Sequence, residues 1–600
     1  MNMSHNGNQR RPVRIANCSG YYGDRLSAAA EIMAGDPIDV LSGDWLAELT
    51  MSILAKSRAR GRGGYAHTFL RQLTDVLGAC HEQGVRIVAN AGGVAPDECA
   101  GRVVELGREQ GIELRVAVVH GDDITGRIDE LRSAGENFEH MDSGEPWAGD
   151  PADVLAANAY LGGHAVTEAL RAGADVVITG RVADAALVSG AAAWWHGWSP
   201  EDLDPLAGAT VAGHAIECGT QVTGGNYAFF EEIDDLVRPG FPIAEIAADG
   251  SSVITKQPGT GGAVTTGTVT AQLLYEIGGP RYLVPDVVVR FDTVELSPVG
   301  ADRVLISGVR GEPAPDRAKV LLTYPGGYRN SMAVAIVGLD RAAKAAAVER
   351  AIWAQFPCGR SEFAETRVET IGAPLDSGDS AGQSYVRISV AGPDRELVGR
   401  RFSSAVVATS LASYPGLYLT GPPGDASEFL VGWPALIDVA RVPARLRMDG
   451  AELPVPTPAT ARPIGDVPNI PIEFDSTAAD STVSAPLGRV IGARSGDKAG
   501  NANLGLWVRD PDAYGWLTRL ATPERIHELL PETAGLEVRC YRLPNLLAVN
   551  IVVGGLLGRG VAASLREDAQ AKSLGERFRA ITAPIPATYL SRAARPLEEV

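Results

Sequence analysis

The first 200 residues alternate short apolar runs with longer stretches that carry apolar residues at helical spacing. Five of the apolar runs predict β-strands, at Arg14–Gly20, Asp39–Gly43, Arg86–Gly92, Leu114–Gly121 and Asp175–Gly180. The stretches between them predict helices, among them Gly64–Gln83, Asp97–Gln110 and Asn158–Ala172. Strands that alternate with helices in this way predict a doubly wound α/β fold with a mostly parallel sheet.

The pattern changes twice along the rest of the chain. Apolar runs are shorter from about residue 206 to 446, which predicts a more β-rich part, and residues 447–484 are rich in Pro, Ser, Thr and Ala, which is typical of a linker. The last part again alternates apolar runs and predicts a small α+β domain. We therefore divide the chain into a disordered tail (1–11), a main domain (12–446, with a doubly wound α/β part at 12–205 and an α+β part at 206–446), a linker (447–484) and a C-terminal α+β domain (485–600).

Composition narrows the class of protein. The net charge of −19 disfavours binding to nucleic acid or to anionic membranes, and no apolar stretch approaches the roughly 20 residues of a spanning helix. The six cysteines are scattered without a CxxC pair, which is typical of a reducing compartment, and we expect a cytoplasmic protein. Glycine is in excess, with 69 of 600 residues, and favours many tight turns or close backbone approaches.

Polar and small residues follow all five predicted strands. In open α/β sheets ligands bind at the carboxyl edge of the strands, so this edge is the first candidate site. The same residue types also suit helix N-caps and turns, which explains any one of them alone. No GxGxxG or GxxxxGK[ST] motif is present, which disfavours a classical nucleotide site. The candidates at this edge are Ser19, Tyr21, Asp44, Asn90, Gly92, Gly93, His120, Asp122, Arg181 and Asp184.

Further candidates lie in the middle of the chain. His214 and Cys218 fit a general base beside a thiol, and His164 fits an acid–base group, although a structural histidine explains each as well. Lys256 and Gly261 belong to a glycine-rich loop that can cradle a phosphate or carboxylate, or can simply close a hairpin. There is no HExxH or His-x-His motif, so a metal is not identified; Mg²⁺ at Asp44, Asp122 or Asp184 is an open alternative.

The C-terminal domain contains an unusually polar loop at residues 494–503. It holds two cations, one anion and two amides within ten residues, which exceeds what a turn requires. Its substrate-binding candidates are Asp497, Lys498, Asn501 and Asn503.

Four motifs together resemble the acyclic terpene utilization family, AtuA. They are RIANCSGYYGDR at 14–25, NAGG at 90–93, ADVVITGRVADAAL at 174–187 and RSGDKAGNANLGL at 494–506. The resemblance covers roughly Pro12–Leu446 as the main domain and Pro486–Ala593 as the AtuA-like C-terminal domain. It implies a role in bacterial breakdown of branched acyclic terpenoids, whose intermediates are CoA thioesters, and it carries over no catalytic residues.

Two classes of function fit these observations. The first is an enzyme on a branched acyl-CoA or related carboxylic acid, a hydro-lyase or carbon–carbon lyase that needs acid–base chemistry and no redox cofactor. Asp44, His120, His164 or His214 would move protons, and the amides of Gly92 and Gly93, or the loop at 256–262, would hold an oxyanion. The second is a non-catalytic or scaffolding subunit of an acyl-CoA processing complex. A homo-oligomer is expected on symmetry grounds alone.

Overall fold

The fold is taken from a computed structural model that describes residues 10–375, 382–458, 462–463 and 481–593. The chain divides into two compact units. Unit 1 comprises Met1–Leu322, Trp433–Leu556 and Ala571–Val600, and unit 2 comprises Thr323–Gly432 and Leu557–Gln570. Within the described ranges, no helix has both the length and the apolar character needed to cross a membrane.

The first strands, in chain order, are β1 (Val13–Asn17), β2 (Val40–Gly43), β3 (Arg86–Ala89), β4 (Val116–His120), β5 (Ala156–Ala159), β6 (Val176–Thr179), β7 (Pro242–Ile246), β8 (Ser252–Lys256), β9 (Arg281–Val284), β10 (Val287–Arg290), β11 (Glu295–Gly300) and β12 (Arg303–Ser307). They are followed by β13 (Arg310–Glu312), β14 (Arg317–Val337), β15 (Glu365–Gly372), β16 (Gln383–Gly392), β17 (Ser427–Asp438), β18 (Arg445–Met448), β19 (Ala451–Leu453), β20 (Thr482–Pro486), β21 (Gly492–Lys498), β22 (Asn501–Trp507), β23 (Val538–Leu543), β24 (Ala548–Val553) and β25 (Thr582–Pro586).

The α-helices are α1 (Ala28–Met33), α2 (Glu48–Ala59), α3 (His67–Gln83), α4 (Pro96–Glu109), α5 (Ile128–Ser133), α6 (His164–Arg171), α7 (Ala186–His196), α8 (Leu203–Glu217), α9 (Thr266–Leu273), α10 (Arg341–Trp353), α11 (Phe402–Val407), α12 (Tyr514–Leu520), α13 (Pro523–Leu529), α14 (Leu574–Ala580) and α15 (Ala587–Ala593).

Unit 1 is organised around one large sheet with the strand order β11-β12-β8-β7-β1-β2-β3-β6-β4-β18-β19. Its five central strands β1, β2, β3, β6 and β4 are parallel, and they are the five strands that the sequence predicts. Antiparallel strands extend the sheet on both sides. The predicted fold class, a mostly parallel α/β layer followed by β-rich and α+β parts, is confirmed.

Helices cover both faces of the parallel strands. On one face α1, α3 and α4 share a core with alternate strand residues such as Val176 and Ile178. The intervening Val177 is also fully buried, because successive strand residues point to opposite faces. Helices α6, α7 and α8 pack against one another and against these strands. Helix α3 ends, as predicted, at Gly84, whose φ of +70° is the left-handed conformation that glycine adopts freely.

Residues Leu203–Glu217, which precede Cys218, form a regular helix although they include two glycines. This helix, α8, is buried on nearly all sides and crosses position 206, where the sequence predicts a change of pattern. Two of its glycines allow close packing: a Cβ on Gly208 would lie 2.2 Å from the carbonyl oxygen of Gly250, and one on Gly213 would lie 2.8 Å from that of Ala185. Glycine therefore serves helix packing here rather than a loop.

Other predicted boundaries differ from those of the structure or lie outside the described residues. Part of the predicted helix Asn158–Ala172 belongs to strand β5, and the helix α6 begins at His164. The first residues of the predicted linker form β18 and β19 at the edge of the large sheet. The rest of that linker falls mainly on residues 459–461 and 464–480, and the predicted tail mainly on residues 1–9, and both stretches lie outside the described residues.

The C-terminal part of unit 1 contains a four-stranded sheet with the order β21-β22-β24-β23. Strands β21 and β22 form a hairpin in which Lys498 pairs with Asn501. The predicted polar loop is thus two strand ends joined by Ala499 and Gly500, and Ala499 adopts a positive φ of +54°. Residues of this segment that lie two apart share one face of the hairpin.

Unit 2 is built on β15, β16 and the parts of β14 and β17 that belong to it, in the order β15-β16-β14-β17. Helices α10 and α11 cover this antiparallel sheet with apolar side chains, among them Val348, Ile352 and Phe402. A second group, which includes Phe429 and Leu565, is also buried.

Candidate active site

The carboxyl edge of the parallel strands brings Asp44, Asn90, Arg181 and Asp184 together. The side-chain amide of Asn90 donates a hydrogen bond to Asp44 Oδ1, and the backbone N–H of Leu46 donates to the same oxygen at 2.9 Å. Arg181 Nη1 lies 2.7 Å from Asp184 Oδ1. Burial and the charge of Asp184 raise the pKa of Asp44 well above its usual range, so Asp44 holds its proton to a higher pH than an exposed carboxyl group does.

Arg181 also connects this edge to a second charged pair. Its guanidinium lies 4.2 Å from the ring centroid of Tyr160, and Lys319 Nζ lies 4.6 Å from the same centroid. Lys319 Nζ is 2.8 Å from a carboxylate oxygen of Glu48, and although burial opposes ionisation, Lys319 lowers the pKa of Glu48. Arg181 is almost fully buried and stays charged because Asp184, Tyr160 and Asp44 raise its pKa against the cost of burial.

The end of α8 adds two titratable groups. His214 Nδ1 lies 3.0 Å from Glu217 Oε1, and both side chains are buried. Burial, together with the charges of Asp184 and Glu276, raises the pKa of Glu217 well above its usual range, and burial beside Lys498 lowers the pKa of His214 to about 4. At neutral pH His214 is therefore a neutral imidazole, and Glu217 beside it holds its proton more tightly than an exposed carboxyl group does.

The predicted pair of His214 and Cys218 does not form, because His214 faces Glu217 instead. Burial and the charge of Glu217 raise the pKa of the Cys218 thiol, which is the opposite of what a nucleophilic thiolate needs. The backbone of Cys218 serves packing: a Cβ on Gly20 would lie 2.4 Å from its carbonyl carbon.

The hairpin of β21 and β22 approaches this group from the C-terminal domain. Arg494, Gly496 and Lys498 share one face, and a Cβ on Gly496 would lie 2.3 Å from the ring of Tyr275, so glycine permits the close contact. Arg494 stacks on Tyr275 at 4.4 Å, and Lys498 Nζ lies 5.8 Å from the ring centroid of Tyr282.

Asp497 joins the same group of charges. Burial and the charges of Glu276 and Glu48 raise the pKa of Asp497 to about 7, while Lys572 opposes that increase. The backbone N–H of Glu276 donates to Asn503 Oδ1 at 2.8 Å, which fixes Glu276 to strand β22.

The charged groups of both domains form one acid–base cleft. Lys498 is accessible to solvent, and the charges of Glu276, Glu217 and Asp184 act on its amine, so Lys498 belongs to the same group of charges. Asp44, Arg181, His214 and Glu217 are buried, and Asp184 is partly accessible. We define the acid–base cleft by Asp44, Glu48, Arg181, Asp184, His214, Glu217, Glu276, Tyr282, Lys319, Asp497 and Lys498.

His120 and Asp122 belong to a neighbouring cavity of about 350 Å³. His120 Nε2 lies 3.5 Å from Asp97, and burial lowers the pKa of His120. Asp122 accepts hydrogen bonds from the backbone of Arg181 and from Asn158, both at 2.9 Å, and so supports the loop that carries Arg181.

Several other predicted residues have structural partners outside the cleft. His164 lies 3.3 Å from Asp286, and Lys256 lies 2.9 Å from Asp302 and donates to the carbonyl of Thr260. The backbone N–H of Gly262 donates a hydrogen bond to the carbonyl oxygen of Asp235. The carbonyl oxygen of Gly261 accepts one from the N–H of Gly240. The loop at 256–262 thus directs its polar groups to the protein.

The predicted oxyanion site at Gly92 and Gly93 is also occupied by internal bonds. The N–H of Gly92 donates to the carbonyl of Thr179, and the N–H of Gly93 donates to that of Asn90, so neither amide is free to hold an oxyanion. Ser19 is buried and donates to the carbonyl of Tyr21, whose own side chain is exposed.

Asn501 and Asn503 shape the hairpin rather than face a ligand. The amide of Asn501 donates to Asp142 at 2.8 Å, its oxygen accepts from the backbone of Gly555, and Asn503 donates to Asn550. In the part of the chain that the structure describes, no group of three or more His, Cys, Asp or Glu side chains has an arrangement that could hold a metal ion.

Sequence reasoning missed five members of the cleft and the adjoining Tyr160. Glu48 starts the helix after Asp44, Glu217 lies one residue before a predicted cysteine, and Lys319 is one of only six lysines in the chain, so each of these carried a weak signal. The remaining three, Tyr160, Glu276 and Tyr282, lie in segments with no motif and reach the cleft through tertiary packing alone.

Family models match both the main domain and the C-terminal domain of this chain. The model of the acyclic terpene utilisation family protein AtuA matches residues 13–448. The chain belongs to the AtuA family. The model of the AtuA ferredoxin-like domain matches residues 485–583, which contain the hairpin that carries Asp497 and Lys498. No curated protein matches the chain, and no solved structure matches it.

Proposed function

We propose that this AtuA family member is an enzyme that acts on a branched acyl-CoA or a related carboxylic acid, as a hydro-lyase or a carbon–carbon lyase, by acid–base chemistry. The observation that supports this most is the placement of two buried carboxyl groups with raised pKa values, Asp44 and Glu217, beside the buried cation Arg181. General acids with raised pKa values beside a fixed cation suit the elimination of water or the cleavage of a carbon–carbon bond next to a carbonyl group.

The proposed roles follow from accessibility and charge. Asp184 is the partly accessible carboxylate and takes a proton from the substrate, while Glu217 or Asp44 donates one to the leaving oxygen or carbon. Arg181 stabilises the negative charge that develops on the carbonyl oxygen, since a cation in a desolvated site acts strongly on it. The substrate is thus a small acyl compound, and its thioester carbonyl or free carboxylate is the group that meets Arg181.

A scaffolding subunit is the alternative. Buried charged groups cost stability, and a chain whose only role is to hold partners gains nothing from burying Asp44, Arg181 and Glu217 side by side. The cleft therefore favours the enzyme.

The test is turnover of a panel of branched acyl-CoAs and free branched acids, followed by mass spectrometry of the products. Glu217→Gln keeps the shape of the side chain but removes its proton donor, and we expect it to lower kcat by about 100- to 10,000-fold. Glu231→Gln, at an exposed carboxyl group, is the matched control and should keep full activity. A wild-type protein that turns over nothing in the panel but co-purifies with a carboxylase subunit would favour the scaffold.

Activity should also depend on pH through Asp497. As the pH rises through about 7, Asp497 ionises and adds a negative charge beside Glu276 and Glu48, so an anionic substrate should bind less well. We expect kcat/KM to fall above pH 7 in the wild type and to stay level in Asp497→Asn. The measurement is kcat/KM between about pH 5.5 and 8.5, since one titrating group spans roughly two units. Glu537→Gln, at an exposed site of the same domain, should keep the wild-type profile, and a fall that persists in Asp497→Asn would contradict the assignment.

A further inference from the structure

Lys498 has a side-chain amine without an ionic partner. Among the described residues its Nζ makes no hydrogen bond or ion pair, and its one described contact is with the ring of Tyr282. The other cleft lysines are engaged: Lys319 pairs with Glu48, and Lys572 donates to the hydroxyl of Tyr275. The amine of Lys498 is thus the one that remains available to a ligand.

The surroundings of Lys498 favour the neutral amine. Although the side chain is accessible to solvent, desolvation of the amine by the surrounding protein and the charge of Lys319 lower the pKa of Lys498, while the carboxyl groups of Glu276, Glu217 and Asp184 act against this decrease. A lysine that is desolvated next to a second cation is a better nucleophile, because the neutral amine is the reactive form. The charges of these three carboxyl groups reach the amine, so they belong to the same group of titratable side chains as Lys498.

Lysine is rare in this chain and is concentrated at the cleft. The chain has 54 basic side chains of which six are lysines, and three of the six, Lys319, Lys498 and Lys572, lie at or beside the cleft. Arginine supplies a cation but cannot act as a nucleophile, since it does not lose its proton in proteins. A site that needed charge alone could have used arginine, as this chain does elsewhere.

We propose that Lys498 forms an imine with a ketone or aldehyde carbonyl of the substrate and that a carbon–carbon bond beside this carbonyl is then cleaved. This inference rests on the proposed function and narrows it to a carbon–carbon lyase. It also narrows the substrate class to branched acids or acyl-CoAs that carry a keto or aldehyde group with a hydroxyl group on the carbon β to it, because attack on a thioester carbonyl would expel the thiol and leave an amide.

The steps balance without an added oxidant or reductant. The lone pair of Lys498 Nζ forms the C–N bond, the carbonyl oxygen takes one proton from the amine nitrogen and one from solvent and leaves as water, and a protonated imine remains. The bond between the α and β carbons then breaks, its electron pair enters the iminium to give an enamine, and a β-hydroxyl group loses its proton to Asp184 and becomes a carbonyl. Glu217 protonates the enamine carbon, and one water hydrolyses the imine to free the amine.

The test traps the imine directly. The full-length protein is incubated with 4-methylpentan-2-one, reduced with sodium borohydride and digested, and the peptides are mapped by mass spectrometry. We expect one reduced adduct, on Lys498, in the wild type and in the control Lys344→Arg, whose amine donates to a carbonyl in unit 2. Lys498→Arg keeps the charge and should give no adduct. A wild type without an adduct on Lys498, or with adducts spread over all six lysines, would overturn the proposal.

Turnover separates this inference from the function on which it rests. With a substrate that the wild type cleaves, Lys498→Arg and Lys498→Met should both lose at least about 100-fold in kcat while their thermal midpoints stay near that of the wild type. If both variants keep their activity and Glu217→Gln does not, the lyase stands and the imine is wrong. If no panel substrate is cleaved but Lys498 is trapped, the proposed acyl substrate class is wrong and the reactive amine stands.

Discussion

Replacement of Arg181 by methionine is expected to lower the stability of the protein by about 3–5 kcal/mol at pH 7.5 and to reduce kcat by about 100- to 1,000-fold. The side chain is almost fully buried, pairs with Asp184, and its charge opposes the rise in the pKa values of Asp44 and Glu217. Without it, carboxyl groups remain in a desolvated site with one fewer cation to balance them. The catalytic loss follows because no fixed positive charge then meets the carbonyl oxygen.

The pH dependence of this stability loss distinguishes lost charge balance from lost packing. At pH 5 more of the carboxyl groups are protonated, so the difference in thermal midpoint between wild type and Arg181→Met should be smaller than at pH 7.5. Arg102→Met, which breaks an exposed pair with Glu105, is the matched control and should cost less than about 1 kcal/mol at either pH. A loss in Arg181→Met that does not change with pH would indicate lost packing against Tyr160 instead.

The parallel core of the fold was predictable because its signals are local. Each of the five central strands is a short apolar run bounded by turn residues, and burial on both faces removes the alternation that an exposed sheet would show. Helix α8 was not predictable in the same way, since Gly208 and Gly213 lower helix propensity. These two glycines allow close packing against Gly250 and Ala185, and both of these partners are distant in sequence.

The candidate site was predictable as far as it depends on strand ends. Asp44, Asn90 and Arg181 follow parallel strands, and the topology alone brings such positions to one edge. Lys498 was recognised from the density of charge in its segment, but its proximity to Tyr282 depends on how the C-terminal hairpin docks, which no local pattern encodes. The sequence does not distinguish among His120, His164 and His214, whereas their burial and their partners in the structure do.

Asp122 provides a test of buried charge that is independent of any substrate. Burial raises the pKa of Asp122 to about 6, against the two hydrogen bonds from Arg181 and Asn158 that lower it. Between about pH 4 and 6 the folded protein therefore binds more protons than the unfolded chain, so the free energy of unfolding falls as the pH rises through this interval. The stabilisation is complete below pH 4 and is lost above pH 6, and the difference corresponds to about 3 kcal/mol.

Asp122→Asn should remove this dependence. In the wild type both hydrogen bonds reach the same oxygen, Asp122 Oδ2, and an asparagine oxygen can accept both without carrying a charge. We therefore expect the variant to be more stable than the wild type at pH 7.5 by up to about 3 kcal/mol. The two proteins should converge as the pH falls towards 4.5. Thermal unfolding at pH 4.5, 6.0 and 7.5 measures the difference, with Asp123→Asn, at the exposed neighbouring carboxyl group, as the control. If Asp122→Asn is less stable than the wild type at pH 7.5, the carboxylate of Asp122 is ionised and holds the Arg181 loop through its charge.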